Sequence, residues 1–135
     1  MIFKQLFDKA TSTYTYLIAS KKGREALIID PVLENVENYI KLLNELNLKL
    51  VKVIDTHIHA DHITGASKLK NQTNCVTIMG DHTPADAVEI KVKDEEIITL
   101  DQLKIKALHT PGHTSDSFSF LMNDCLFSGD TLLIN

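Results

Sequence analysis

Two short runs near the start of the chain are rich in strand-forming hydrophobic residues. Positions 2–7 and 14–19 carry β-branched and aromatic side chains at strand spacing. Ala26-Leu27-Ile28-Ile29 is a short apolar run stopped by Asp30-Pro31. Between these runs Lys21-Lys22-Gly23-Arg24 predicts a turn, with a glycine free to take positive φ. The pattern therefore predicts a three-stranded meander. From 35 to 48 the period lengthens. Val36, Ile40, Leu43 and Leu46 share one helical face, and Glu37, Lys41, Asn44 and Glu45 fall largely on the other. A strand over 50–54 follows, ending at Asp55-Thr56, so that strand, helix and strand form a βαβ-like unit.

Beyond it the pattern predicts a helix over 66–70 and a strand over 75–79. Further strands are expected at 97–100, 103–108, 118–122 and 126–127. The last residues, Thr131-Leu132-Leu133-Ile134-Asn135, are apolar and stop in mid-element, as expected of part of a longer chain.

The 135 residues suit one domain, and 44% hydrophobic with 24% charged residues argues against disorder and fibrous repeats. Eighteen acidic residues against 14 Lys plus Arg give a net charge of −4, which makes nucleic acid and anionic membrane poor partners. No stretch has the length and apolarity of a membrane span. The first residues have neither signal-peptide layout nor Arg-rich transit character, so a cytoplasmic location is expected. Cys75 and Cys125 form neither a CxxC pair nor a disulfide framework, and both are expected to be buried structural thiols.

Candidate chemistry concentrates in Thr56-His57-Ile58-His59-Ala60-Asp61-His62. In an extended segment alternate residues face one way, so His57, His59 and Asp61 can converge, and His62 can join them as the chain turns. Imidazole and carboxylate together suit zinc, iron and similar divalent ions. Two further strand-end loops carry possible ligands: His113 in His109-Thr110-Pro111-Gly112-His113, and Asp130 in Ser128-Gly129-Asp130. Taken alone, His113 is a commonplace loop histidine and Gly-Asp a routine turn pair. His82 reads as a solvated loop residue, His109 as a packed one or else a group behind the ligands, and Asp94-Glu95-Glu96 as a solvated turn.

This constellation resembles the metal-binding signature of the metallo-β-lactamase superfamily. The resemblance narrows with residues 3–7, Thr13-Tyr14-Thr15-Tyr16-Leu17, Ile29-Asp30-Pro31-Val32 and the run from Thr56 to Ile63-Thr64-Gly65. These are similar to the persulfide dioxygenases of that superfamily, whose thioesterase cousins tend to carry Gly-Gly after the last histidine. The resemblance covers nearly the whole chain. It implies an α/β (α+β layered) fold, the αββα sandwich, with residues 1–135 as an N-terminal half that lacks the C-terminal part. It also implies oxidation of glutathione persulfide by O2 to sulfite and glutathione at one non-haem Fe(II) per chain. Carried over residue by residue, the iron ligands and catalytic centre would be His57, His113 and Asp130. His59, Asp61 and His62 would orient and tune them.

An alternative is a dinuclear zinc metallohydrolase of the glyoxalase II type, with two Zn(II). It would use His57, His59 and His113 at one metal and Asp61, His62 and a bridging Asp130 at the other. A non-catalytic metal-binding half-domain is a third reading. On the half-sandwich view, the strands at 103–108 and 118–122 and the tail at 131–134 would lack an intrachain partner from a C-terminal half. Their apolar face would then drive self-association, so a homo-oligomer, a dimer, is expected.

Overall fold

A computed structural model of the chain describes residues 1–57, 65–82, 88–111, 117–123, 125–128 and 132–134. The predicted meander forms: β1 (Ile2–Asp8), β2 (Thr13–Ala19) and β3 (Glu25–Ile29) pair antiparallel in chain order. Gly23 takes φ +79° in the β2–β3 turn, a conformation without steric cost only for glycine. A 3₁₀ turn (Leu33–Asn35) leads into α1 (Val36–Glu45), and β4 (Lys49–Ile54) returns parallel to β3. Next come α2 (Gly65–Thr73), β5 (Val76–Gly80) and β6 (Ile90–Val92), each strand parallel to its predecessor, which closes a six-stranded sheet.

The second sheet has five strands in the order β11-β10-β9-β8-β7. They are β7 (Ile97–Leu100), β8 (Leu103–His109), β9 (Phe118–Met122), β10 (Cys125–Phe127) and β11 (Leu132–Ile134). All of its pairings are antiparallel.

Helix α1 ends three residues before the predicted limit. Asn47 takes φ +54°, its N–H donates to the Asn44 carbonyl at 3.1 Å, and Leu48 N–H donates to the Leu43 carbonyl at 2.8 Å. This is a Schellman cap, with asparagine in the place that glycine usually holds. Strand β6 escapes the period-two reading because it has only three residues, and of these only Val92 is buried.

Two apolar clusters define three layers among the described residues. Tyr16, Ile18, Leu27, Ile29, Ile54 and Ile78 of the first sheet pack against Ile105, Ala107, Phe118, Phe120, Met122 and Phe127 of the second. On the opposite face of the first sheet, Leu17, Ala19, Ala26 and Ile28 pack against Val36, Tyr39 and Leu43 of α1 and Leu69 of α2. The expectation that strands 103–108 and 118–122 lack an intrachain partner is therefore corrected. They are themselves the second sheet, and their inner side chains are buried within this chain. Strands β7 to β11 build a sheet of their own, which packs on the first.

A bulge sets the phase of β4. Ala26 pairs with Leu50 but Leu27 pairs with Lys52, so Val51 is the extra residue. Leu50 and Val53 thus both join the helix-side cluster, while Ile54 joins the inter-sheet core. At the edge opposite the ends of β3 to β5, Arg24 Nη2 donates to Asp101 Oδ1 at 2.9 Å, clipping the two sheets together. No described helix is long and apolar enough to cross a membrane.

Candidate metal centre

Parallel strands end on a common edge, and that edge is where α/β sheets usually place their chemistry. Here β3, β4 and β5 run out together, delivering Asp30, the segment Asp55-Thr56-His57, and Asp81-His82. Backbone hydrogen bonds tie these exits to one another. Asp30 N–H donates to the Ile54 carbonyl at 2.8 Å, and Asp55 N–H to the Ile78 carbonyl at 3.1 Å.

The second sheet joins at the same place. Phe118 N–H, at the start of β9, donates to the Thr56 carbonyl at 2.8 Å. Because His109 pairs with Phe118, the end of β8 lies there too. Thr110 N–H donates to the Ser117 carbonyl at 3.0 Å, pinning the base of the loop whose sequence includes His113. β10 runs antiparallel to β9, with Phe127 opposite Phe120, so the chain leaves toward Asp130 from this edge as well. The three sequence segments singled out for metal ligation therefore spring from strand ends at one edge of the two sheets.

Of the six candidate ligands, His57 is within the described residues; His59, Asp61, His62, His113 and Asp130 lie outside them. His57 is half-buried, and its Nδ1 is 2.9 Å from Thr56 Oγ1. Behind it is a buried polar group that pattern reading treated as a strand stop. Asp30 is almost fully enclosed and takes φ +54°, a left-handed conformation that Asp adopts more readily than most residues. Its Oδ1 accepts Thr56 N–H at 2.8 Å and its Oδ2 accepts the Thr56 hydroxyl at 2.7 Å. The Asp30 carbonyl accepts the Thr15 hydroxyl at 2.7 Å, and Thr15 Oγ1 is 3.1 Å from the Tyr39 hydroxyl, which accepts Val32 N–H at 3.0 Å. The available signal was the position of Asp30, an acid directly after a buried strand and directly before proline.

Other sequence expectations resolve as follows. His109 is packed, as expected: its ring stacks on His82 with centroids 3.7 Å apart and planes 5° from parallel, and it tilts against Phe118. His82 is exposed, but that stacking makes it more than a solvated loop residue. The 94–96 turn is also more than solvated, since Asp94 Oδ1 accepts His109 N–H at 2.8 Å. Cys75 is buried, and burial raises its thiol pKa. Cys125 is only half-buried, because it begins a three-residue strand near the sheet margin, which corrects the expectation of two buried thiols. Among the described residues no three His, Cys, Asp or Glu side chains cluster as a metal set.

Comparison with known proteins gives a consistent picture. Residues 8–86 match the family model described as the metallo-beta-lactamase superfamily. Human mitochondrial persulfide dioxygenase ETHE1 is 35% identical over 137 residues, a match covering 99% of this chain and 54% of the relative. The hydroxyacylglutathione hydrolase of Pelagibacter ubique is 34% identical, covering 95% of this chain and 54% of that protein. The crystal structure of ETHE1 from Myxococcus xanthus superposes with a TM-score of 0.90 at 44% identity, covering 99% of this chain and 59% of that one. The chain thus spans about half the length of the curated relatives it matches.

Proposed function

The chain belongs to the metallo-beta-lactamase superfamily, and from that membership we propose that it carries the iron-binding part of a persulfide dioxygenase. The reaction would be glutathione persulfide plus O2 plus water to glutathione plus hydrogen sulfite and a proton. The sulfane sulfur is oxidised and dioxygen is reduced. The observation that carries this reading is the likeness to persulfide dioxygenases, which runs through essentially the whole chain in both sequence and fold.

The residues fit a metal. His57 is held through Nδ1 against Thr56, as a ligating imidazole is usually held through its second nitrogen. In the proposal His57, His113 and Asp130 hold one Fe(II), a two-His-one-carboxylate set that suits non-haem iron. Bound there, the iron would supply open coordination positions for the persulfide sulfur and O2. The protein's own contribution is positional. Thr56 orients His57, the Phe118–Thr56 bond joins the two sheets beneath the site, and His59, Asp61 and His62 would orient the ligands and tune the metal.

Elemental analysis of the purified protein, paired with oxygen uptake on glutathione persulfide, tests the proposal. One iron per chain with persulfide-dependent oxygen consumption is the expected result. Two zinc ions per chain, with hydrolysis of a glutathione thioester and no oxygen uptake, would replace it with the dinuclear hydrolase that the hydroxyacylglutathione hydrolases represent.

A further inference from the structure

We infer that Asp30, acting through the Thr56 hydroxyl, is a positioning residue that sets the tautomer of His57 and so makes Nε2 its metal-binding nitrogen. The inference deepens the proposed function and rests on it for the word metal. The tautomer itself follows from hydrogen-bond chemistry alone.

A threonine hydroxyl has one proton to give. Thr56 Oγ1 lies 2.7 Å from Asp30 Oδ2 and 2.9 Å from His57 Nδ1. A carboxylate can only accept, so the hydroxyl proton goes to Asp30. The Thr56 oxygen must then accept from the ring, and Nδ1 of His57 carries a proton. In the neutral imidazole the lone pair is left on Nε2. A carboxylate thus sets the state of a histidine through the hydroxyl that both contact.

Asp30 is well secured for this role. Its second carboxylate oxygen accepts Thr56 N–H at 2.8 Å, which fixes the side chain relative to the segment it controls. Its main chain is held on both sides, N–H to Ile54 and carbonyl from Thr15. The proton order continues behind it. Thr15 gives its hydroxyl proton to the Asp30 carbonyl, so Thr15 Oγ1 accepts from Tyr39, whose oxygen in turn accepts Val32 N–H. Asp30, Thr15, Thr56 and Tyr39 are all buried, where each such bond is hard to exchange for water.

The same logic makes Asp30→Asn informative. Asparagine is suited to the left-handed backbone at this position, so the main chain can stay as it is. The Thr56 N–H, an obligate donor, holds the new amide oxygen, which turns the amide NH2 toward the hydroxyl. Thr56 Oγ1 would then accept from Asn and donate to His57 Nδ1, moving the ring proton to Nε2. The relay reverses, and the nitrogen meant for the metal is blocked.

Two measurements on the full chain test this. Long-range proton–nitrogen correlation spectra of the metal-free protein, at alkaline pH where an ordinary imidazole is neutral, report the ring tautomer directly. The expected result is Nδ1–H for His57 in the wild type and Nε2–H in Asp30→Asn. Ferrous iron affinity, measured anaerobically by chelator competition, should fall about 10–100-fold in Asp30→Asn and about tenfold in Thr56→Val, as losses of outer partners do. Thr56→Ser, which keeps the hydroxyl, should restore wild-type affinity. A wild-type spectrum with the proton on Nε2 would overturn the inference, and so would unchanged iron affinity in a folded Asp30→Asn protein. If wild type with Nδ1–H binds no iron, the proposed function falls and the tautomer assignment stands.

Discussion

A methyl group on Gly80 would lie 2.0 Å from Cδ1 and 2.2 Å from Cε1 of Phe118, so the Phe118 ring occupies the place a side chain would take. Gly80 ends β5 and Phe118 begins β9, and this contact lets the two sheets close next to the candidate metal centre. Phe118 is fully buried there and cannot retreat into solvent. Gly80→Ala should therefore cost about 1–3 kcal/mol, the usual range for overpacking. Urea unfolding measures it, and a midpoint equal to wild type would show that the ring has room to move.

Gly65→Ala tests a second close approach. A Cβ there would meet the Pro31 carbonyl oxygen at 2.6 Å and its carbon at 2.8 Å, and backbone yields less readily than a flexible side chain. Helix α2 must shift off the 31–32 segment next to Asp30. The expected outcome is a loss of stability of about 1–3 kcal/mol by thermal or urea unfolding, despite alanine's better helix propensity.

Substitutions at the candidate ligands should grade by role. His57→Ala, His113→Ala and Asp130→Ala should abolish iron retention, whereas His59→Ala and His62→Ala should weaken it about 10–100-fold. Metal content after gel filtration reads this out. Equal loss from all five changes would argue against a single iron held by His57, His113 and Asp130.

Acid should destabilise the fold through three identifiable carboxylates. Hydrogen bonding holds each below its ordinary value: Thr11, with Asn35, for Asp8; Lys70 for Glu89; Arg24, with Ser20, for Asp101. A depressed folded pKa adds stability that is fully present above the unfolded value and is lost as pH falls through the folded one. The decline should thus begin near the ordinary values of 3.8 and 4.5 and continue below them. Urea midpoints measured against pH should show it, with a shallower acid limb in Asp101→Asn. Asp8 and Glu89 are accessible to solvent, so their share should shrink in high salt, whereas Asp101, with a side chain only 9% exposed against Arg24, should be screened less.

The two thiols should differ in reactivity. Burial both shields Cys75 and raises its pKa, while Cys125 is half-exposed. Native protein treated with a thiol alkylating reagent at neutral pH should modify Cys125 first, as peptide mass spectrometry would show. Equal labelling at both positions would mean that β5 opens on the timescale of the reaction.

Most of the secondary structure was legible because it rests on local periodicity. The strand-forming runs of β1 and β2, the helical face of α1 and the strand–helix–strand unit that ends in β4 follow from residues a few positions apart. The metal-type signature at 57–62 was legible for the same reason, being contiguous in sequence. What the tertiary structure alone decided involves distant residues. That β8 and β9 cover the first sheet depends on faces matching across the chain, which no local window reports. The Val51 bulge, which sets the faces of Val53 and Ile54, exists only relative to its partner strand. Asp30 reads as punctuation in the sequence, and it becomes the acid behind His57 because β3 and β4 end side by side and bring Thr56 within hydrogen-bond reach. Periodicity is a property of neighbours along the chain, whereas a buried carboxylate is assigned its work by whatever donors the fold brings to it.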